Sequence, residues 1–227
     1  MLRAVIFDFN GIIIDDEPIH FELFQRVLAE QGIGLTEEDY YARYLGFDDR
    51  GAFAAAYREH GKPHDGKQLT GLIARKAIYY QNAIRNKVII FPGVQKLVAE
   101  LAPRLPLAIA SGALRNEIET ILSTAALSKY FPVIISAEDV AQGKPEPEIY
   151  LKALTRVNAE ARDARPINAA ECLVIEDSKE GIRGARRAGM KCLAVTNSHP
   201  AELLRDATAI VNSLEEVDIQ LLQQICS

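Results

Sequence analysis

Four short stretches carry side chains suited to chemistry: Asp8-Phe9-Asn10-Gly11, Ser111-Gly112, Lys144 within Gly143-Lys144-Pro145-Glu146-Pro147, and Glu176-Asp177. Gathered carboxylates attract a hard cation such as Mg2+, which prefers oxygen ligands. Such a cation lets an anionic phosphate approach an anionic oxygen and polarises the phosphorus. A lysine offsets the remaining repulsion and stabilises the transferring group. A serine hydroxyl and nearby backbone N–H groups bind phosphoryl oxygens. Asp8 is then a nucleophile, a metal ligand or both. Taken singly, each stretch has a plainer reading. Ser111-Gly112 makes a turn, Lys144 is a solvated surface lysine, and Glu176, Asp177 or Ser178 caps a following helix. Their occurrence in order, at successive strand ends, is what favours the chemical reading.

The elements that must position these residues follow from periodicity. Ala4 to Phe7 is a short apolar run of the kind buried on both faces of a parallel sheet, and it stops at Asp8. Leu105 to Ala110 reads as a strand ending at Ser111, Val133 to Ser136 as a short strand, and Cys172 to Ile175 as a strand ending at Glu176-Asp177. Lys191 to Val195 and Ala209 to Val211 complete the set. Helical patterns alternate with them: one opening at Phe91-Pro92-Gly93-Val94, then Leu114 to Leu122, Glu146 to Arg156, and Ser178 to Ala188 with Gly189 as its C-cap. Ala159 to Asn168 reads as a charged, irregular connection. Alternating strands and helices imply a parallel sheet covered on both faces. Strand ends of one sense share one edge, so distant residues converge on one crevice.

Between Asp15 and Asn86 the period is helical only. Ile19, Leu23, Val27 and Leu28 recur at helical spacing, Thr36 is an N-cap before Glu37, Glu38 and Asp39, and further helices cover Gly51 to Glu59 and Gln68 to Arg85. Gly46 to Arg50 is a polar break. The expected architecture is therefore α/β, a Rossmann-like doubly wound parallel sheet core formed by residues 1–14 and 91–227, with a small α-helical cap domain, residues 15–90, inserted after the first strand.

The chain has 227 residues, 48% of them hydrophobic and 25% charged, which is globular composition and argues against disorder. A net charge of −5 with no basic block makes nucleic acid an unexpected partner. The three cysteines form no CxxC pair; Cys172 and Cys192 read as small buried hydrophobes, in keeping with a reducing, cytoplasmic compartment. No apolar run reaches membrane-spanning length and no cleavage-site pattern follows the N-terminus. The expected partner is a small phosphorylated metabolite, with no nucleic acid or membrane, and the chain is expected to be a monomer or weak homodimer.

The segments VIFDFNGIIIDDEP (5–18), ASG (110–112), GKPEPEIY (143–150) and VIEDSKEGIRGARRAGM (174–190) resemble those of the haloacid dehalogenase superfamily of phosphohydrolases. The likeness is to the subfamily with a helical cap after the first strand, the phosphoglycolate phosphatase and β-phosphoglucomutase group. It implies that Asp8 is the nucleophile that becomes phosphorylated. Ser111, with Gly112, binds the phosphoryl group, and Lys144 pairs with Asp8 and the phosphate. Mg2+ is implied as cofactor, held by Asp8, Asp177 and the backbone carbonyl of Asn10 with Glu176 assisting. In the cap, His20, Gly46, Phe47, Asp48 and Arg50 are the implied substrate contacts, Arg50 as a clamp for a second anionic group or simply as a solvent-facing residue at a helix start.

One departure from the family pattern bears on catalysis. Family phosphatases carry an aspartate two residues after the nucleophile, which protonates the leaving alkoxide and then activates water; here it is Asn10. An amide cannot exchange a proton at neutral pH. Three explanations stand. Another residue supplies the proton, Asp16 first because the family usually has a small serine or threonine there, with Glu17 and His20 near it, the plainer reading of Asp16 being an acid at a helix N-terminus; the substrate has a good leaving group such as an acyl or aryl phosphate; or the chain is a weak or inactive enzyme that binds phosphate compounds, or carries a deliberate aspartate-to-asparagine change. The expected activity is a Mg2+-dependent phosphatase acting through an aspartyl-phosphate. A phosphosugar mutase is the alternative, made less favourable by Leu45 where mutases have lysine. Dehalogenase chemistry needs no metal site and fits the intact Glu176-Asp177 pair least.

Overall fold

The computed structural model describes residues 1–44, 47, 49–85, 88–160 and 165–227. The chain divides into two compact units, one formed by residues 1–15 and 88–227 and the other by residues 16–87.

The first unit is built on a six-stranded, all-parallel sheet with spatial order β3-β2-β1-β4-β5-β6. Its strands are β1 (Ala4–Phe7), β2 (Leu107–Ala110), β3 (Val133–Ile135), β4 (Cys172–Glu176), β5 (Lys191–Val195) and β6 (Ala209–Val211). The four central strands, β2, β1, β4 and β5, are buried almost throughout, as a sheet covered on both faces requires. In register, Phe7 lies opposite Ile109 on one side and Ile175 on the other. Asp8, Ser111 and Asp177 therefore all leave the sheet at the same edge. That edge includes the point where the order reverses, β1 having neighbours reached by opposite crossovers.

Among the described residues, the helices of this unit are α5 (Val94–Leu101), α6 (Arg115–Thr124), α7 (Glu148–Glu160), α8 (Lys179–Arg187) and α9 (Ile219–Ile225). Ile149, Tyr150, Ala153 and Val157 of α7 and Ile182 and Ala185 of α8 join Ile6, Ala108, Val174 and Cys192 of the strands in one continuous core. Two helix starts differ from expectation. Helix α7 begins at Glu148 because Pro147 disfavours helical backbone at Glu146. Helix α5 begins at Val94, after Gly93 in a left-handed conformation (φ +84°), so Pro92 precedes the helix and does not start it. Helix α9 has no counterpart in the sequence reading; its only cues are the Asp218 cap and two buried residues, Ile219 and Leu222.

The second unit holds helices α1 (Glu17–Ala29), α2 (Glu37–Arg43), α3 (Asp49–Glu59) and α4 (Gly66–Ala83). The Thr36 side chain accepts from the Asp39 N–H at 3.1 Å and caps α2, and Asp65 caps α4 in the same way at 2.7 Å. Phe24, Tyr40, Tyr44, Phe53 and Tyr57 pack with Val27, Leu28 and Leu72 into a separate aromatic-rich core. Helix α3 starts inside the stretch read as a polar break, so Arg50 is helical. No helix among the described residues is long and apolar enough to cross a membrane.

Candidate active site

Asp8 follows the last residue of β1, and its N–H continues the ladder by donating to the Ile175 carbonyl at 2.9 Å. Beyond it the chain turns sharply. The Phe9 carbonyl accepts from the N–H groups of Ile13 (2.8 Å) and Ile14 (3.1 Å), and Gly11 donates to the Ile14 carbonyl. Gly11 has φ +76°, and a Cβ there would stand 1.9 Å from Oδ2 of Asp177. Both facts restrict the position to glycine. The buried Ile12, Ile13 and Ile14 pin the turn, and Asp15 and Phe91 bond to Ile89 and Ile13 across the two chain segments that leave this unit.

Lys144 reaches this edge from the loop between β3 and α7. Its ammonium lies 2.7 Å from Oδ1 of Asp8 and 2.5 Å from Oε1 of Glu176. Glu176 is fully buried and completely committed. Its Oε1 also accepts from the Tyr150 hydroxyl at 2.8 Å, and its Oε2 accepts from the Ser178 hydroxyl at 2.9 Å and from the N–H groups of Asp177 and Ser178. A Cβ on Gly181 would fall 1.9 Å from the same carboxylate, so the first turn of α8 is pressed against it. Glu176 thus acts as a fixed anchor for Lys144. Ser178, read as a possible cap, does cap α8 by accepting from the Gly181 N–H at 3.1 Å.

The carboxylates of Asp8, Glu176 and Asp177 come within 4.8 Å of one another, all buried, against one ammonium. The electrostatic consequences are marked. Burial, reinforced by the Glu176 charge and opposed by Lys144, pushes the Asp8 carboxyl up to about 6. Burial and the charges of Asp8 and Glu176 push Asp177 up to about 8. Burial alone would depress the Lys144 ammonium, but its two carboxylate neighbours outweigh that and hold it above the ordinary lysine value. Burial likewise acts to raise Glu176, yet Lys144 and the Tyr150 and Ser178 hydroxyls hold it below the usual carboxylate range. A site of buried oxygen donors with surplus negative charge fits a small hard dication, which would relieve the repulsion that raises Asp8 and Asp177.

The other expected residues fall as follows. Ser111 is buried at the end of β2, its N–H bonded to Ile135 and its Oγ accepting from the Ala113 N–H at 3.1 Å, beside exposed Gly112. Asn10 is half-buried in the turn after Asp8, in register with Ile14. His20 and Arg50 belong to the helical unit. Arg50 is exposed and donates to Thr70 Oγ1 at 3.1 Å. His20 stacks on Tyr80, with Nε2 3.0 Å from Asp16 Oδ2 and Nδ1 2.9 Å from the Lys76 ammonium. Gly46, Asp48 and Leu45 lie outside the described residues.

Sequence reasoning missed several participants. Lys76 is 4% exposed, pairs with Asp49 and lines a cavity of about 350 Å³ within the helical unit, together with Glu17, His20 and Tyr40. It lies on the buried face of α4 with Leu69, Leu72 and Tyr80, a position where a lysine carries no sequence signal of its own. Asp16, already singled out in the sequence, sits at the N-cap position of α1 without capping it; its carboxylate accepts from His20 and from the Tyr80 hydroxyl at 2.9 Å. Tyr150 lies in a segment noted for its resemblance, yet only the packing of α7 on the sheet aims its hydroxyl at Glu176. Asn197 and Ser198 follow β5, where the strand-end rule points, but their types are those of any turn.

Residues 5–195 match the family of haloacid dehalogenase-like hydrolases. A validoxylamine A 7'-phosphate phosphatase of Streptomyces hygroscopicus subsp. limoneus is 28% identical over 96% of this chain and 96% of its own. A phosphorylated carbohydrates phosphatase of Thermotoga maritima is 28% identical over 99% and 100%. A crystal structure of β-phosphoglucomutase from Clostridium difficile superposes with a TM-score of 0.75, covering 100% of this chain and 97% of that one, at 22% identity, and so shares the fold. On the match to residues 5–195, which spans Asp8, Ser111, Lys144, Glu176 and Asp177, the chain belongs to the haloacid dehalogenase-like hydrolase family.

Proposed function

We propose that this protein is a Mg2+-dependent phosphomonoesterase acting on a small phosphorylated metabolite through an aspartyl-phosphate on Asp8. The observation that carries this reading is the state of the Asp8 carboxylate: Oδ1 is held by Lys144 at 2.7 Å, and the side chain stands at the strand end beside Asp177. Asp8 Oδ2 attacks phosphorus, the bond to the leaving oxygen breaks, and water then cleaves the acyl phosphate. Lys144, kept charged by Glu176, offsets charge on the transferring group. Ser111 binds a phosphoryl oxygen. Asp8, Asp177 and the backbone carbonyl of Asn10 would hold Mg2+, whose contribution is to polarise the phosphoryl oxygens. Asn10 donates and accepts hydrogen bonds but moves no proton, so the chain favours substrates whose leaving group needs little protonation.

The helical unit selects the organic part of the substrate, and its cavity with Lys76, His20 and Glu17 is polar enough to read hydroxyls or a second anion. The two phosphatase relatives, one of validoxylamine A 7'-phosphate and one of phosphorylated carbohydrates, support a small phosphorylated substrate. A screen of phosphorylated metabolites with Mg2+, run beside Asp8→Ala, tests this. Turnover that needs both Mg2+ and Asp8 is the expected result. Mg2+-dependent binding of a phosphate analogue with no turnover on any substrate would replace the phosphatase by a binding module.

A further inference from the structure

The loop after β5 grips the site at two adjacent residues. The Asn197 side-chain amide donates to the Gly11 carbonyl at 2.7 Å, tying the loop to the turn that follows Asp8. The next residue, Ser198, donates its hydroxyl to Oδ2 of Asp177. That oxygen is hemmed in from the other side as well. A Cβ built on Gly11 would lie 1.9 Å from it and 2.9 Å from Ser198 Oγ, so Oδ2 is wedged between the Gly11 backbone and the serine hydroxyl. Asp8 is treated alike on its side of the site, with Lys144 taking Oδ1. Each of the two carboxylates therefore has one oxygen committed to a side-chain donor, and for Asp177 that oxygen is Oδ2.

This matters for which cation fits. Mg2+ takes single oxygens in a tight octahedron, whereas Ca2+ accepts more ligands, at longer distance, and commonly takes both oxygens of one carboxylate. We propose that Ser198 is a metal-selectivity residue: by holding Oδ2 of Asp177 it limits that carboxylate to one available oxygen and so favours Mg2+ over Ca2+. The assignment rests on the metal-dependent reading proposed above. Ser198 acts through Asp177 and is a positioning residue; it is itself exposed, so its truncation leaves the core packing untouched.

Calorimetric titration of the whole protein with Mg2+ alone and Ca2+ alone tests it. In Ser198→Ala the preference for Mg2+ should narrow by about tenfold, the lower range for losing a group that orients a metal ligand. Ca2+ binding should tighten, since Asp177 can then turn both oxygens inward. Ser198→Thr, which keeps the hydroxyl, should restore the native ratio. An unchanged ratio in Ser198→Ala, or an equal change in Ser198→Thr, overturns the assignment while leaving the metal site standing. Absence of Mg2+ binding by the native protein overturns the metal-dependent reading and this inference with it.

Discussion

Asn10 stands where the proposed mechanism most needs a proton carrier, and its effect can be isolated because the rest of the site is intact around it. Lys144 is anchored, Asp8 is aimed, and Glu176 has every oxygen occupied. Restoring an acid at this one position should therefore act on leaving-group protonation alone. Asn10→Asp is expected to raise turnover of alkyl phosphates by at least about tenfold, the conservative end of general acid–base contributions, with a smaller gain for aryl or acyl phosphates. Steady-state kinetics on a matched pair of substrates checks this; equal gains on both would point to a change in metal binding instead. Asp16, the first alternative acid that the sequence offered, has its carboxylate shared between His20 and Tyr80 in the helical unit.

Helix α8 shows how an element can be tuned for a neighbour and not for itself. Gly181 in its first turn weakens the helix, since replacing glycine by alanine in a helix ordinarily gains about 0.5–1 kcal/mol. Here the sign should reverse. The added methyl would collide with the fully buried Glu176 carboxylate, which cannot withdraw without releasing Lys144. Gly181→Ala is expected to cost about 1–3 kcal/mol, in the range of overpacked cores, and to lower phosphatase activity; chemical denaturation and kinetics measure the two effects. In the helical unit the Thr36 cap is a simpler case. Thr36→Ala removes the acceptor for the Asp39 N–H and should cost about 1 kcal/mol, read by thermal melting, without altering Mg2+ binding by the sheet unit.

For the molecule as a whole, the acidic cluster sets how stability depends on pH and metal. Asp8 and Asp177 are raised to about 6 and about 8 from the ordinary aspartate value of 3.8, so the folded chain holds their protons more tightly than the unfolded one. Their contribution to stability is fully present below about pH 4 and is lost as pH rises through those two values. Mg2+ held as proposed would replace the protons as the source of compensation. It should therefore raise the melting temperature more at about pH 8 than at about pH 6, with a gain near 2.7 kcal/mol at hundredfold excess over Kd. An increment that is the same at both values would show that the cation does not compete with protons at this cluster. Much of this site was legible from sequence because its chemistry is local. Buried apolar runs ending in Asp8, Ser111 and Asp177 declare strands, parallel strands share an edge, and the Thr36 and Ser178 caps announce their helices. What only the tertiary structure decided are the contacts between residues whose types carry no signal alone: Tyr150 and Gly181 against Glu176, Ser198 on Asp177, and Lys76 buried beside Asp49 and His20. Such pairs depend on how a helix rotates on a sheet or a loop folds back, and no period or spacing along the chain encodes that.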